Sequence, residues 1–367
     1  MTKSGKRNCS AGEAGNGGKP APSAAGSGAN PKQNQKASSK HGGGRRRPVR
    51  LAALDLGTNN CRLLIAAPRG RDLRIVDAFS RIVRLGEGLS QSGVLSAPAM
   101  ERTLKALTIC AEKVEKRGVT HIRCIATQAC RGAQNGAEFL AEASALTGLQ
   151  FDIITTEEEA RLAVAGCADL LDDGVEAGLI FDIGGGSTEL SWVRPRNDGG
   201  ADILAWTSLP FGVVSLAERW GGREMTAVTY AAVVADVRAE IARIGDPAGI
   251  KEAFAADHAH LLGTSGTVTS IAGVHLGLTR YRRDKVDGLW LVAEDARRVT
   301  EKLRMMSFGE RANEPCIGEE RADLVVSGCA ILEALQLEWP ANRIRVADRG
   351  LREGILADLA REANRER

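Results

Sequence analysis

The sequence contains no C-x-x-C pair, no stretch of 18 consecutive apolar residues, and no apolar segment behind its basic amino-terminal start. Its eight cysteines are scattered, and the nearest two, Cys124 and Cys130, lack a histidine-bearing second half for zinc. Most lie among apolar neighbours, as Cys61 and Cys110 do, where cysteine behaves as a small hydrophobe. Metal–thiolate chemistry is therefore not expected, and a reducing, cytoplasmic setting is. A spanning helix needs about 18 apolar residues or more, and a secretory signal about 7–15 behind its basic start, so no membrane role is expected. Also missing are G-x-x-x-x-G-K-[ST] and a strand–helix G-x-G-x-x-G, which argues against a P-loop and a dinucleotide Rossmann site.

What is present is a chain of 367 residues, 43% hydrophobic, with a formal net charge of +3. At roughly 150 residues per domain, that length suggests two domains and a sizeable core. The small net charge hides an asymmetry. Residues 1–50 carry eleven Lys/Arg and one acid, while the remainder holds 38 bases and 45 acids, a net of −7. Residues 1–48 are rich in Gly, Ser, Ala, Asn and Lys with no apolar periodicity, a composition that predicts a disordered, solvated basic tail. An alternative is an electrostatic arm for anionic polymers, rooted at Arg45, Arg46, Arg47 and Arg50. No specific nucleic acid is expected.

From Val49 the pattern becomes that of a fold. An apolar run ends at Asp55, a tip follows at Gly57-Thr58-Asn59-Asn60, and a second apolar run reaches Ala67, the signature of a hairpin. A further strand is expected over 72–84. Helical spacing covers 97–117, closed by Gly118, and is followed by strand His121–Ala126, helix Ala137–Thr147, strand Phe151–Thr155 and helix Glu157–Leu171. Residues 178–194 then repeat the opening: strand, Asp182, a glycine-rich tip with Ser187 and Thr188, and a return strand. Asp55 and Asp182 are 127 residues apart, too far for a solenoid repeat of about 20–50 residues, so two related α/β domains are expected. A third strand–glycine–hydroxyl element, His260–Leu262 into Gly263-Thr264-Ser265-Gly266-Thr267, leads into a helix from Val268. Helices near 293–306 and 321–337, a strand near Arg343–Val346 and a helix at Leu351–Glu362 complete the body.

Glycine at such tips lets the backbone approach a ligand, and clustered N–H groups with Ser/Thr hydroxyls cradle phosphate oxygens. Two tips plus the Gly263–Thr267 turn place anion-binding loops on both walls of a cleft. Asp55 and Asp182 could each cap their own turn, or help hold Mg²⁺, which is usually bound by one or two carboxylates with water and substrate phosphate.

The segments DLGTNNCRLLI (55–65) and FDIGGGSTELS (181–191) resemble the phosphate motifs of the actin-like ASKHA superfamily. Together with IATQACRGAQNG (125–136), TTEEEARLAVAG (155–166) and GTSGTVTSIAG (263–273), they resemble the short, two-domain form of the exopolyphosphatase/guanosine pentaphosphate phosphohydrolase family. The resemblance spans roughly residues 50–358. It implies an α/β fold of two actin-like (ribonuclease H-like) domains flanking an active-site cleft. The expected boundaries are 49–156 and 157–349, with the carboxy-terminal helix 350–363 packing back on the first domain.

The implied activity is Mg²⁺-dependent hydrolysis of a terminal phosphoanhydride, on inorganic polyphosphate or on guanosine pentaphosphate. Another divalent ion, a monovalent K⁺ and a homodimer are compatible with it. By resemblance, Glu159 is the base, Arg131 binds phosphate and Glu189 is a second active-site carboxylate. Thr58, Asn59, Asn60, Gly185, Gly186, Ser187, Gly263, Thr264 and Ser265 bind phosphates, and Asp55 and Asp182 hold metal. Blander readings remain open at this level: Glu157–Glu159 as a charged first helical turn, Arg131 as a surface arginine, Glu189 as a solvent-facing strand residue. Two departures from the family stand out. Thr58-Asn59-Asn60 replaces a frequent Ser-Asn-Ser, and Gly132 stands where a second basic residue is frequent. A polyphosphate-binding protein without turnover, and an ASKHA kinase, are the rivals from other classes.

Overall fold

Leu51–Leu56 (β1) alternates its side chains between two apolar environments. Leu51 and Ala53 face one cluster and Ala52, Leu54 and Leu56 the other, so both faces of the strand are buried. That is why the run is continuously apolar rather than alternating with polar residues. The computed structural model describes residues 48–366 except 71 and 173. The basic tail and its Arg45–Arg47 root lie outside the described residues. Arg50 is described, and its guanidinium is spent on the carbonyl of Arg117.

Around β1 forms a five-stranded sheet ordered β3-β2-β1-β4-β5, with β2 Asn60–Arg69, β3 Asp72–Ile82, β4 His121–Ala126 and β5 Phe151–Ile153. The first three strands are antiparallel, whereas β4 and β5 join in parallel. The second sheet has the order β10-β11-β9-β6-β7-β8, with β6 Ala177–Ile183, β7 Thr188–Pro195, β8 Ala201–Leu209, β9 Ala259–Thr264, β10 Trp290–Val292 and β11 Arg343–Val346. Its meander β6-β7-β8 and parallel β9 and β11 repeat the first topology, and β10 adds an antiparallel edge.

The duplication extends to irregularities. The β2–β3 register slips after Ile65 and the β7–β8 register after Trp192, each ten residues past the paired aspartates Asp55 and Asp182. Strand β8 and the helices Val213–Trp220 and Ala227–Ile244 are absent from the sequence expectation, which treated the second hairpin as two-stranded. The repeat itself required a third strand.

The carboxy-terminal helix Leu351–Arg365 packs Ile355, Leu356, Leu359 and Ala363 against Leu51, Ala53, Leu64 and Ile125 of the first sheet. The helix Thr156–Cys167 joins both lobes: Leu162 belongs to that same cluster, while Val164 and Cys167 pack with Ile180, Val193 and Leu262 of the second sheet. These two helices cross at glycine, since a Cβ on Gly166 would overlap the carbonyl of Gly350, and one on Gly354 that of Leu162. Among the described residues no helix is long and apolar enough to cross a membrane.

Two contacts clasp the lobes on one side. Arg84 donates to both carboxylate oxygens of Asp323 (2.8 and 2.9 Å), and Glu218 accepts from the amide of Gly88 (2.7 Å) and the hydroxyl of Ser90 (2.6 Å).

Candidate active site

The two hairpin tips meet. Each is closed by the same bond, Gly57 N–H to the Asn60 carbonyl (2.9 Å) and Gly184 N–H to the Ser187 carbonyl (3.0 Å). In both, two further carbonyls are consumed inside the protein. Thr58 and Asn59 accept from the amides of Gly86, Val83 and Arg84, and Gly184 and Gly185 accept from the first amides of helix Val213–Trp220. The other amides of the tips are the groups these loops can offer a ligand.

Glycine is required at 185 and 186 for closeness. A Cβ on Gly185 would stand 2.9 Å from Thr58 Cβ, and one on Gly186 would overlap the carboxamide oxygen of Gln128. Neither glycine has the positive φ that would by itself demand one. The third element arrives as β9 turns into helix Ser265–His275. Ser265 adopts φ 75°, and the N-terminal amides of this 11-residue helix favour negative charge.

These elements enclose a cleft of about 790 Å³. It is lined by Asp55, Thr58, Asn59 and Asn60 from the first lobe, by Asp182, Gly185, Gly186, Ser187, Glu189, Thr264 and Ser265 from the second, and by Glu159 from the connecting helix. Two of the expected residues are not among those lining this cleft. Gly263 does not line the cleft; it is a packing glycine whose Cβ would press on the Phe181 ring. Arg131 does not line it either: its Nη1 donates to the carbonyl of Ile154 (2.7 Å) and to Glu159 Oε2 (3.2 Å), behind the wall.

The three acids at 157–159 part company. The hydroxyl of Thr155 caps their helix by accepting from the amide of Glu158 (3.1 Å), and the turn then sends each side chain in a different direction. Glu157 is exposed, Glu158 is held by Arg123 (3.0 Å) and Arg161 (2.7 Å), and Glu159 faces the cleft with its side chain only 15% exposed. Glu189 is buried, accepting from the hydroxyls of Ser187 (2.6 Å) and Ser208 (2.9 Å), so it is not a solvent-facing strand residue. Among the described residues no hydrogen bond ties Asp55 or Asp182 to its own turn.

Four carboxyls, Glu189 buried and the others half-buried, therefore share one floor, and all four are held above the usual carboxylate range. Burial is the main cause for Asp55, opposed by Arg62 and Arg352. Burial and then the charge of Glu189 push Asp182 up to about 7. Glu159 is raised well above its ordinary value, again by burial and then by Glu189, with Arg131 opposing. Glu189 itself is raised by burial against its two serine hydrogen bonds.

Such a surplus of oxygen donors suits a hard cation. Among the described residues no three His, Cys, Asp or Glu side chains converge into an all-protein metal cage. The fit is to an ion held by one or two carboxylates together with substrate phosphate.

The positive side of the site is largely one the sequence reading missed. Arg62, Arg283, Arg321 and Arg352 all line the cleft. Arg321 and Arg352 are half-buried guanidiniums whose pKa values are lowered first by desolvation, with Arg62 adding repulsion. Arg62 pairs in register with Asp55 across the first hairpin, as Glu189 pairs with Asp182 across the second. The 127-residue offset maps Arg62 onto Glu189, a signal that would have exposed it.

A base must be deprotonated to work, so activity should rise with pH along a limb lying above the ordinary carboxylate range. Glu189→Gln removes the second cause raising both Glu159 and Asp182. The acid limb of the residual activity should then move to lower pH. Rate profiles of wild type and variant across pH 4–9 check this, and an unmoved limb refutes the coupling.

The sequence profile of the Ppx/GppA phosphatase family matches residues 64–363. Among solved structures, the chain is similar to an exopolyphosphatase-like protein (28% identity, TM-score 0.74), over 86% of this chain and 99% of that one. It is also similar to the Aquifex aeolicus PPX-GPPA enzyme (26% identity, TM-score 0.69), over 84% and 99% of the two chains. An exopolyphosphatase from Cytophaga hutchinsonii, 23% identical, shares the fold with TM-score 0.74 over 85% of this chain and 98% of its own.

Proposed function

This chain belongs to the Ppx/GppA phosphatase family, and on that premise we propose that it hydrolyses the terminal phosphoanhydride of inorganic polyphosphate, releasing orthophosphate. The observation that carries this reading is the convergence of two glycine tips, a helix N-terminus and four carboxyls of raised pKa on one cleft.

Such a reaction needs an in-line water, a base and positive charge around the phosphoryl group. The tips at Thr58–Asn60 and Gly185–Ser187, with Ser265, hold the terminal phosphate oxygens. Glu159 takes a proton from the attacking water while the water oxygen bonds to the terminal phosphorus and the bridging P–O bond breaks. The shortened chain leaves with the electron pair on its new terminal oxygen. Arg131 acts through Glu159, fixing its carboxylate from behind. Glu189, restrained by Ser187 and Ser208, orients the water from the other side. Arg62, Arg321 and Arg352 neutralise the rest of the polyanion. Asp55 and Asp182 would hold Mg²⁺, which when bound supplies positive charge at the phosphate oxygens.

Guanosine pentaphosphate ends in the same bond. The cleft favours keeping it as the second substrate, because Tyr281 lines it and is 38% exposed, an aromatic surface that a phosphate chain alone does not require. The test is phosphate release from long-chain polyphosphate in Mg²⁺ buffer, with guanosine pentaphosphate as competitor. Release from polyphosphate, little affected by the competitor, is expected. Release only from the nucleotide reverses the order of substrates, and binding without release to either sinks hydrolysis.

A further inference from the structure

Gln128 opens the short helix Gln128–Gly132 that also carries Arg131, and its side chain reaches the junction of the two tips. Its Oε1 accepts from the hydroxyl of Thr58 in the first tip (3.3 Å). The same oxygen is the first atom a Cβ on Gly186 of the second tip would meet, followed by Gln128 Cδ at 2.7 Å and Thr58 Oγ1 at 3.1 Å. Gln128 also lines the cleft, alongside Glu159. It is thus an uncharged side chain in contact with both phosphate-binding loops, and neither its residue type nor its spacing singled it out.

The hydrogen bond has a consequence for the ligand. The proton of the Thr58 hydroxyl is committed to Gln128, so that hydroxyl cannot simultaneously donate to a phosphate oxygen. A carboxamide carries two N–H donors besides its oxygen, and among the described residues the hydrogen bond of the Gln128 side chain is the one its Oε1 accepts from Thr58, which leaves both donors free. We propose that Gln128 is a specificity-determining residue of the phosphate cradle, bracing the Thr58 tip through Oε1 while its Nε2 donates to a phosphate oxygen lying between the two tips. The proposal rests on the phosphoanhydride-hydrolase reading. It adds to that reading a donor supplied by the segment that also positions the base, and a reason why residue 186 must be glycine.

Three variants test it: Gln128→Ala, Gln128→Glu and Gly186→Ala, with the double variant Gln128→Ala/Gly186→Ala. The measurements are steady-state phosphate release from polyphosphate, and tripolyphosphate binding by calorimetry, so that ligand binding is read apart from turnover. One neutral hydrogen bond corresponds to roughly a 3–10-fold rise in KM and in tripolyphosphate Kd for Gln128→Ala. Gln128→Glu keeps the shape but sets a negative charge against phosphate, and should weaken binding by about 100-fold at unchanged melting temperature. Gly186→Ala should be impaired more than Gln128→Ala, and removing Gln128 in the double variant should recover part of that loss. Unchanged KM and Kd in both Gln128 variants, or effects of the two sites that simply multiply, would overturn the assignment. Failure of the underlying reading looks different: the wild-type protein itself would release no phosphate.

Discussion

Glu159→Gln is expected to slow phosphate release by roughly 10²–10⁴-fold, the usual contribution of a positioned general base. The amide has the shape of the carboxylate and can still accept from Arg131, so the 3.2 Å contact and the ordering of the loop at Ile154 should survive. What it cannot do is accept the proton of the attacking water. The substitution also removes one of four mutually repelling carboxyls, so the folded state should lose little stability and tripolyphosphate binding should persist. The check is a rate comparison at saturating substrate, paired with thermal melting. Equal rates would remove Glu159 from the role of base. A rate loss accompanied by a large fall in melting temperature would point to a structural role instead.

The second large effect concerns folding. Gly166→Ala should destabilise the protein by about 3 kcal/mol, the upper part of the usual range for overpacking a tight interior. The neighbours are what set the size. The new methyl group would overlap the Gly350 carbonyl and stand 2.9 Å from the Gly354 amide nitrogen, and both belong to backbone that cannot rotate aside. Gly354 faces the carbonyl of Leu162 in the same way, so the two helices joining the lobes approach as closely as their backbones permit. The strain would also reach the site. Gly350 follows Arg349, whose carbonyl accepts from the Thr264 hydroxyl at 2.6 Å, and it precedes the cleft residue Arg352. Urea unfolding measures the loss. Gly174→Ala is the control, because a Cβ there meets nothing within 4 Å, and it should move stability by less than about 0.5 kcal/mol. If both variants unfold at the same denaturant concentration, the crossing is looser than described.

Much of the architecture was legible in the chain because its signals are local. The paired hairpins announced themselves through short continuous apolar runs, an aspartate at the strand end and glycine at the tip. Their recurrence after 127 residues correctly implied two related halves. Helix 97–117 was readable from its apolar spacing and from Gly118, which ends it with φ 59°. Strand β8 and the two helices that follow it were not legible, because residues 201–244 carry no glycine tip or terminal aspartate to mark them and only the repeat of the first half's third strand points to β8.

The candidate site was legible in its loops and obscure in its walls. Thr58, Asn59, Gly185, Gly186 and Ser187 stand out because a tip combining glycine with hydroxyl or amide side chains has recognisable local chemistry. Arg62, Arg321 and Arg352 look in sequence like any other arginine; burial beside Asp55 and Asp348 is what makes them part of an anion site. Gly263 is the reverse case: it sits in a sequence context suited to phosphate, and the structure packs it against the Phe181 ring.

By itself, then, the sequence determined the elements whose causes lie within a few residues: the hairpins, their tips, the capped helices and the duplicated order. Tertiary structure decided which of three adjacent acids enters the cleft and that Arg131 pairs with Glu159. It also decided that Gln128 joins tips from two lobes and that Arg84 clasps Asp323 across 239 positions of chain. Periodicity and turn chemistry act between near neighbours along the chain. Contacts between residues 70 to 240 positions apart, and the burial that raises a carboxyl or lowers a guanidinium, exist only once both sheets have packed against their connecting helices.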